Sequence, residues 1–515
     1  MFIIILLASM FILLIYYYYV HYGRNGRLVN LLPGPPGHLI AGNASQAYIS
    51  VEEQWKLMCN LSNKYYPIFK LRIFFMYVVA IRHPNDLETI LSNTKLTEKS
   101  RLNKLLQPWG GTGLFISTGA KWHARRKLLT NAFHFNVLTQ YADILIQEGD
   151  YMTKSLKDVR GTVVKDLVPF ISEHTLNAIC ETAMGISLRK FNEFQQQYRN
   201  AVYDILELIC YRAFRPWFHN DLLFSLSPQG RKHKKILKIL HGFTEKVIEK
   251  RKLYHERTNG RHLKNLENNK ETEIDVEVFG IKRKRLSMLD LLIPGSRDNL
   301  LTELDIREGV DTFMFAGHDT TAISMTFALS LLAKHKDIQE RVRIEVDTVM
   351  QENIGKLTMR SLQNLPYLDR CLKESLRSYP SAFFILRDVQ EDVKLHSYVV
   401  PAGTILYLNI YGVHRDPNFW PNPEVFDPDI FLPERIQIRH PYSYLPFNAG
   451  PRNCIGQRFG LLEMKTMIAP LVRNFYLEPI DYLKDIRLKF HLLIRPSYPV
   501  HIKFIPISRK QTLQN

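Results

Sequence analysis

The first strong hydrophobic pattern lies at the N-terminus. Residues Phe2–Val20 read FIIILLASMFILLIYYYYV, and no Asp, Glu, Lys or Arg occurs before Arg24. These nineteen residues would form a helix of about 28 Å, which is long enough for one bilayer crossing. A cleaved signal peptide is the alternative, but it would have a basic start, and Tyr16–Tyr19 resemble the aromatic residues of a membrane interface. The pattern therefore predicts an uncleaved anchor over residues 1–23.

Residues 24–37 are predicted to link this anchor to the rest of the chain. The run Pro33–Gly37 reads PGPPG, which disfavours a continuing helix and suits a semi-rigid spacer; an ordinary linker fits the same residues. Arg24 and Arg27 follow the apolar span, and the positive-inside rule then places the remainder on the cytoplasmic side. We expect one folded domain over residues 38–515.

The pattern of that domain is mainly helical. Most of residues 85–375 has apolar positions at helical spacing, and the longest predicted helix, residues 302–334, begins with a capping box formed by Thr302 and Asp305. The fold class is thus predicted to be mainly α with small β-sheets. Short runs that predict strands occur at Ile68–Ile73, Tyr77–Ile81, Val399–Ile410 and near the C-terminus.

Composition changes this picture mainly through charge. Of 515 residues, 46% are hydrophobic and 23% are charged, which excludes a disordered chain. The 68 Lys and Arg against 50 Asp and Glu leave a net charge of +18, which suits nucleic acid, an acidic protein or an anionic membrane surface. Within Gly230–Leu289, seventeen basic residues stand against eight acidic ones. Its polar centre, Glu256–Lys284, is predicted to be a mobile loop between two helices, with a membrane-facing role as the alternative.

The cysteines narrow the chemistry. The five of them are scattered and form no CxxC pair, which argues against a disulfide framework and a tetrathiolate zinc site. Cys454 alone lies in a loop shaped by glycine and proline, Pro446–Gly456, which reads PFNAGPRNCIG and precedes a helical pattern. The helix N-terminus and Arg452 would favour a thiolate there. One thiolate is too few for zinc or an iron–sulfur cluster but suffices for haem iron.

This loop resembles the cysteine signature of the cytochrome P450 family, and the resemblance extends over essentially the whole chain. The signature Phe-x-x-Gly-x-Arg-x-Cys-x-Gly is present at Phe447, Gly450, Arg452, Cys454 and Gly456. The resemblance implies haem b with Cys454 as its axial ligand, and Phe447 and Gly456 as cofactor-binding neighbours. It also implies the cytochrome P450 fold, mainly α with small β-sheets, preceded by a single-pass transmembrane helix.

A second motif joins a glutamate and two arginines. Glu374 and Arg377 stand three residues apart in a helical stretch, so that their side chains can pair. Taken alone, such a pair is usually a surface salt bridge. Together with Arg435 in the run Pro-Glu-Arg, it resembles the buried Glu-Arg-Arg network of the family, whose implied role is structural.

A third motif lies within the longest predicted helix. The run Ala316–Thr321 reads AGHDTT, and glycine inside a helix costs about 1 kcal/mol relative to alanine, so that a functional reason is expected. The run resembles the oxygen-binding helix of the family. By this resemblance Thr320 and Asp319 are catalytic and supply protons, a helical hydrogen bond is weakened near Gly317, and His318 points to another face.

The resemblance further implies contacts to the haem propionates and an electron-donor face. Trp122 and Arg126 are four residues apart, on one face of a predicted helix, whereas His123 and Arg125 are expected to be exposed. The propionates are implied to be held by Trp122, Arg126, Arg387 and Arg452. The docking face for an acidic electron donor is implied to include Lys121, Arg125, Lys127 and Lys465.

Within the family, the chain is most similar to family 4, the fatty-acid ω-hydroxylases and their insect relatives. The similar runs include Val310–Phe315, His414–Pro417, Arg439–Tyr442 and Arg215–Trp217. Many family-4 members have a glutamate, esterified to a haem methyl group, where this chain has Ala316. We therefore expect non-covalent haem. Substrate contacts are implied for Phe115, Phe313, Ala316, Phe383 and Phe384, with plain core packing as the alternative.

The resemblance thus implies a haem-thiolate monooxygenase that inserts one oxygen atom from O2 into a fatty acid, a hydrocarbon or a xenobiotic. Electrons would come from NADPH–cytochrome P450 reductase, with cytochrome b5 as a further donor, and nucleic acid is not expected as a partner. The expected location is the endoplasmic reticulum membrane, with the catalytic domain on the cytosolic face. Two alternatives are a peroxide isomerase or dehydratase of the same fold and a membrane-tethered haem sensor without turnover.

Overall fold

The computed structural model of the protein describes residues 1–189, 192–258, 287–297 and 301–508. Helix is the main element of these residues, as the sequence predicted. The α-helices are α1 Phe2–Tyr22, α2 Arg24–Asn30, α3 Val51–Lys64, α4 Pro84–Leu91, α5 Gln107–Gly110, α6 Gly119–Thr130, α7 Phe135–Lys157, α8 Leu167–Thr182, α9 Asn192–Ala213, α10 Asp221–Leu226, α11 Pro228–Arg257, α12 Met288–Arg297, α13 Glu303–Lys334, α14 Lys336–Glu352, α15 Met359–Gln363, α16 Pro366–Ser378, α17 Ile410–Val413, α18 Pro433–Gln437 and α19 Gln457–Asn474.

The strands are short and form small sheets. They are β1 Ile68–Ile73, β2 Met76–Ile81, β3 Val163–Asp166, β4 Ile385–Asp388, β5 Val393–Lys394, β6 Val399–Val400, β7 Ile405–Leu408, β8 Phe475–Pro479, β9 Leu488–Lys489, β10 Arg495–Pro496 and β11 His501–Pro506. The largest sheet has the order β1-β2-β7-β4, in which only β2 and β7 are parallel. A second sheet has the order β3-β11-β8. The predicted strands near residues 68–81 and 399–410 are confirmed.

The longest helix, α13, passes through the centre of the domain. Its N-terminus has the predicted capping box, because Thr302 and Asp305 exchange side-chain-to-backbone hydrogen bonds. Most residues of α13 are buried, and the helix packs against α8, α16 and α19. In its second half the ring of Phe327 stacks on Tyr379 with centroids 4.4 Å apart. This helix carries one of the three motifs, and the cysteine loop leads directly into α19, so the packing of these two helices sets the position of the site.

The N-terminal segment leads from an apolar helix onto the domain surface. Among the described residues, α1 is the helix long and apolar enough to cross a membrane, with a mean hydropathy of 2.4. The segment predicted as a linker begins with α2, whose Val29 is buried, and Leu32 is buried just beyond it. The side chain of Lys70 on β1 donates to the carbonyl of Asn30 at 3.1 Å. Arg24 also pairs with Asp392, which lies just before β5, so the linker is packed against the domain.

The basic segment is helical in its first half. Helix α11 covers Pro228–Arg257, which agrees with a helix before the predicted loop. Residues 259–286, which include most of that loop, lie outside the described residues. The expected loop therefore stays a prediction. The next described helix, α12, begins at Met288.

Candidate active site

One large cavity brings the sequence motifs together. It lies between α13, the loop before α6 and the loop before α19, and it encloses about 1760 Å³ of empty space counted out to and including its mouth. The part of this space that the centre of a water-sized sphere can reach is about 310 Å³, at the lower end of the range of about 300–1,000 Å³ for pockets that hold one small ligand. Its lining includes Lys99, Phe115, Trp122, Arg126, Phe313, Ala316, Gly317, Thr320, Phe384, Phe447, Arg452, Cys454 and Gly456.

Cys454 lies on this cavity at the end of a shaped loop. Its backbone N–H donates to the carbonyl of Phe447 at 2.8 Å, which closes the loop. The residue is exposed where it lines the cavity, yet desolvation by the protein packed around the sulfur raises the pKa of the thiol. The backbone N–H of Gly456 and the charge of Arg126 offset part of this effect. The sequence predicted that Arg452 would supply that charge. The structure assigns it to Arg126 instead, because Arg452 turns away to donate to backbone carbonyls.

The loop conformation requires one of its glycines. Gly450 has a φ of +69°, and a Cβ there would lie 1.8 Å from the carbonyl oxygen of Leu91. Any side chain at this position would therefore push the loop away from α4 and displace Cys454. The signature glycine thus has a packing reason that the sequence alone did not reveal.

Three cations that form no ion pair among the described residues lie beside one end of the cavity. Arg387 and Arg452 are buried, and Lys99 is partly exposed where it lines the cavity. Within the described part of the chain no ion pair is formed by Lys99, Arg387 or Arg452, and Arg452 Nη1 is buried without a hydrogen-bond partner. Burial lowers the pKa of Lys99 well below its usual value, and the neighbouring Arg387 and Arg452 lower it further. Burial also lowers the pKa of Arg387 to about 10. Uncompensated buried cations of this kind call for an anionic ligand.

Four residues are expected to hold the haem propionates, and three of them line the cavity. Trp122, Arg126 and Arg452 line it, and the guanidinium of Arg452 lies 4.0 Å from the centroid of the Trp122 ring. The fourth residue, Arg387, is fully buried and does not line the cavity. Its backbone forms an antiparallel β-bridge with that of Lys99, and the side chain of Lys99 lines the cavity. Lys99 was missed by sequence reasoning, because no local motif marks it and only the fold brings it to the site.

Helix α13 contributes Ala316, Gly317 and Thr320 to the cavity wall. The hydroxyl of Thr320 donates to the carbonyl of Ala316 at 2.6 Å. The helix is continuous across this run. A Cβ on Gly317 would lie 2.5 Å from the side chain of Ile179 on α8, so glycine is required for the close approach of the two helices. This contact accounts for the glycine through packing.

Asp319 is buried in an ion pair that the sequence did not predict. Both its carboxylate oxygens accept from Arg495 Nη2, one of them at 2.6 Å. Arg495 lies on β10 near the C-terminus, and its Nε has no partner within the described residues. His318 is buried on another face, as expected, with its Nδ1 2.7 Å from the carbonyl oxygen of Met314.

The five expected substrate contacts divide into two groups. Phe115, Phe313, Ala316 and Phe384 line the cavity. The prediction for Phe383 is wrong: this ring is 1% exposed and packs in the core against Trp55, with centroids 5.0 Å apart. Neighbouring residues in the extended segment before β4 point to opposite sides, so only one of the two phenylalanines can face the cavity.

The expected glutamate–arginine pair is present and buried. Arg377 Nε lies 2.7 Å from Glu374 Oε2, and its Nη1 donates to the carbonyl of His414 at 2.9 Å. Burial raises the pKa of Glu374, and Arg377 offsets part of the shift. The placement of Arg435 in this buried network is wrong. Its side chain is half exposed and pairs with Asp427 at 3.2 Å, because α18 begins at the surface.

One residue predicted to lie on the docking face for the electron donor is buried instead. Lys121 and Lys127 are exposed, and so is His123. Arg125 was predicted to be exposed, yet its side chain is buried and pairs with Asp305 and with Glu308, the latter at 2.8 Å. It faces α13, and it therefore cannot present its charge to a docking protein.

These observations fit haem. One thiol faces the cavity, and the macrocycle brings four further iron ligands and two carboxylates of its own, which match the buried cations. By its fold and site, the molecule is a haem-thiolate protein. Comparison with known families makes the assignment specific. The chain belongs to the cytochrome P450 family, which it matches over residues 32–504.

The similar proteins fall in family 4. Cytochrome P450 4c21 of Blattella germanica is 36% identical over 488 residues, which cover 94% of this chain and 95% of that protein. Cytochrome P450 4c3 of Drosophila melanogaster is 36% identical over 503 residues, covering 95% and 92%. Human cytochrome P450 4V2 is 39% identical over 445 residues, covering 85% and 82%. The chain is therefore a cytochrome P450 monooxygenase whose relatives are family-4 proteins.

Proposed function

We propose that the protein is an endoplasmic-reticulum monooxygenase that hydroxylates a lipophilic, chain-like substrate, with electrons from NADPH–cytochrome P450 reductase. Fatty acids and hydrocarbons are the proposed substrate class, and cytochrome b5 is the proposed second donor. The observation that carries the proposal is the cavity wall beside Cys454, which is formed by the apolar side chains of Phe115, Phe313, Ala316 and Phe384. Such a wall binds hydrocarbon chains by burial of apolar surface.

The chain's own residues prepare the site for this reaction. Haem, when bound to Cys454, supplies dioxygen binding and activation. Arg126, Arg452 and Lys99, which line the cavity, would hold its carboxylates. Thr320 places a hydroxyl at the cavity wall beside Ala316, where it can position a water or donate a proton.

Asp319 is proposed as the source of protons for Thr320. In the structure its carboxylate accepts from Arg495, so this proposal requires the ion pair to open during proton delivery. The intact Asp319–Thr320 pair favours a monooxygenase over a peroxide isomerase or dehydratase, which needs no proton delivery from solvent.

The haem is proposed to be held without an ester bond. Ala316 lies on the cavity wall at the position of the family-4 glutamate, and a methyl group cannot form an ester. Acid–acetone extraction of the purified protein is expected to release haem completely. An Ala316→Glu variant is the matched comparison, and retention of haem by the unchanged protein would contradict the proposal.

Contacts between α1 and the domain, together with exposed apolar residues of the domain, support a proposed membrane surface. Tyr16 and His21 of α1 contact carbonyls of Ile40 and Leu39, and the chain then continues to Tyr48. Tyr48 stacks on Trp217, with ring centroids 5.7 Å apart. Trp217 lies just before α10, whose leucines are exposed. These residues of α1, Trp217 and α10 support a single proposed membrane surface. The proposed cytosolic orientation rests on Arg24 and Arg27, which follow the apolar span.

Exposed lysines on α6 are proposed to meet the reductase. Lys121 and Lys127 lie on the helix that also carries Trp122 and Arg126, so a docked donor would lie close to the haem edge. Lys121 also pairs with Asp305 at 3.4 Å, but its side chain is half exposed. Lys465 is less available, because it pairs with Asp369 at 2.9 Å and is largely buried.

The decisive experiment reconstitutes the haem-loaded protein with reductase and NADPH. It is then given saturated fatty acids and alkanes of graded chain length, and products are identified by mass spectrometry. Hydroxylated product, absent with Cys454→Ala, is the expected result. The reduced, carbon-monoxide-bound spectrum is expected to show the thiolate Soret shift in the unchanged protein and to lose it in the variant.

Two results would favour the rival functions. Conversion of a fatty-acid hydroperoxide without reductase would indicate an isomerase or dehydratase. Normal haem loading with no product from any substrate would indicate a haem sensor.

A further inference from the structure

A loop between α5 and α6 forms one wall of the cavity. This wall loop, residues 111–118, contributes Leu114 and Phe115 to the lining. Trp109, just before it, packs on Phe315 of α13 with ring centroids 5.0 Å apart. Loops at a cavity usually carry substrate specificity, and their position depends on what holds them.

A buried carboxylate on α13 holds the middle of this loop. Glu308 is 4% exposed, and its Oε1 accepts from the backbone N–H of Thr112 at 2.8 Å. The hydroxyl of Thr112 donates to Oε2 at 3.0 Å. Oε2 also accepts from Arg125 Nη2 at 2.8 Å. The carboxylate therefore joins the loop to both α13 and α6.

Close packing makes this contact specific. Gly111 has a φ of +54°, and a Cβ there would lie 2.0 Å from Glu308 Oε1. A Cβ on Gly113 would lie 2.3 Å from Thr312 Oγ1, one turn further along α13. Only glycine lets the loop approach the helix closely enough for the hydrogen bond from Thr112 to form.

The other end of the wall loop is tied to the cysteine loop. The carbonyl of Ser117 accepts from Arg452 Nη2 at 2.7 Å. Leu114 and Phe115 thus lie between two charged attachment points, Glu308 on α13 and Arg452 beside Cys454. Hydrogen bonds to charged groups are the stronger ones, so both points restrict the loop.

We propose that Glu308 is a positioning residue that fixes the wall loop against α13 and thereby sets the shape of the substrate space beside Phe115. The inference deepens the proposed function, since it assigns selectivity for lipophilic substrates to this attachment. Without Glu308 the loop moves away, the apolar wall opens, and substrates lose contact with Phe115.

The test uses haem-loaded, full-length protein with Glu308→Gln. Glutamine keeps the size of the side chain but loses the charge that Arg125 and Thr112 share. Amide hydrogen exchange within the wall loop is expected to become about tenfold faster, which corresponds to the loss of one hydrogen bond to a charged group. Phenylimidazole, which ligates haem iron and packs on the cavity wall, is expected to bind several-fold more weakly.

Glu303→Gln is the matched control. Glu303 lies five residues earlier on α13 and pairs with Lys252 at an exposed position. This variant is expected to leave both loop exchange and phenylimidazole binding unchanged. Equal acceleration of exchange throughout α13 in Glu308→Gln would show a merely structural role and would overturn the proposal, as would unchanged exchange in the loop.

Gly111→Ala keeps the proposal testable if Glu308→Gln folds poorly. Its methyl group meets the carboxylate, so it is expected to free the loop while Glu308 itself is retained. The two substitutions together are expected to have no more effect than either alone, because both break the same contact. Neither readout requires turnover, so a protein that makes no product but shows these local changes would contradict the proposed function and retain this inference.

Discussion

At the residue scale, Asp311 has the most unusual environment in α13. The carboxyl is 1% exposed, and burial raises its pKa to about 7. A hydrogen bond from Thr244 at 2.6 Å and the charge of Arg307 lower this pKa only in part, and the nearby Glu245 and Glu308 raise it. The folded protein therefore favours the neutral acid.

We predict that Asp311→Asn stabilises the protein increasingly as pH rises. The carboxyl ionises in the unfolded chain near 3.8 and in the folded protein near 7, so the unchanged protein loses stability between these values. Asparagine does not ionise, so the difference in unfolding free energy is expected to grow to as much as about 4 kcal/mol at neutral pH. Thermal unfolding of haem-loaded protein across this pH range measures it. A difference that does not change with pH would contradict the prediction.

The neighbouring residues Phe383 and Phe384 allow the role of a core side chain to be compared with that of a side chain that lines the cavity. We predict that Phe383→Ala lowers the unfolding free energy by about 3–5 kcal/mol, because it leaves a cavity among core side chains. Phe384→Ala is expected to cost less stability and to change substrate affinity and product distribution more. Thermal unfolding and product analysis of both variants test this division. The reverse ranking would restore Phe383 as a substrate contact.

At the element scale, α10 has an apolar surface without protein cover in the described structure. Leu222 and Leu226 are each 69% exposed and Leu223 is 52% exposed. The adjoining helix α11 is rich in exposed lysines, which suit anionic lipid headgroups. Apolar side chains next to basic ones are typical of a helix that lies at a membrane surface.

Trp217 reports on this surface, and we predict that brominated lipids quench its fluorescence. It is 44% exposed beside α10, whereas the other four tryptophans are at most 7% exposed. Full-length protein in vesicles with brominated acyl chains is expected to show quenching that Trp217→Phe removes. Vesicles without bromine are the control. Equal quenching with and without Trp217 would place α10 away from the bilayer.

Elements whose signals are local were predictable from sequence. The α13 helix follows from its apolar spacing and from the pair Thr302 and Asp305, and β1 follows from its alternating run. Cys454 follows from the glycine and proline around it. Each of these signals lies within one element, so one sequence suffices to find it.

Features that depend on packing between distant elements were not predictable. Arg125 meets Glu308 across 183 residues, and Arg495 meets Asp319 across 176. Arg435 was misplaced because a Pro-Glu-Arg run does not reveal that the whole of α18 lies at the surface. Nothing near Lys99 in sequence indicates that it reaches the same cavity as Cys454.

At the scale of the whole molecule, the buried cations link folding to the cofactor. Lys99, Arg387 and Arg452 come from three separate parts of the chain and meet only when the domain is assembled. Their mutual repulsion opposes assembly, and two carboxylates of the haem remove it. Haem binding and domain folding are therefore coupled equilibria.

We predict that Lys99→Met stabilises the haem-depleted protein and weakens haem binding by the haem-loaded protein. Methionine fills similar space without charge, so haem-depleted protein is expected to unfold at a higher temperature. Haem-loaded protein is expected to lose haem several-fold faster to an excess of a haem acceptor. Lys127→Met, at an exposed site on α6, is the control and is expected to change neither. A loss of stability in the haem-depleted form would contradict the prediction.

The same cluster has a consequence for the cell. A polypeptide that folds while haem is scarce brings these cations together with no haem carboxylates beside them, and we expect it to stay partly open to chaperones and proteases. We therefore expect the steady amount of this protein to follow the haem supply even when its messenger level is constant. Nutritional or developmental changes in haem synthesis would then set how much of this oxidising enzyme the cell contains.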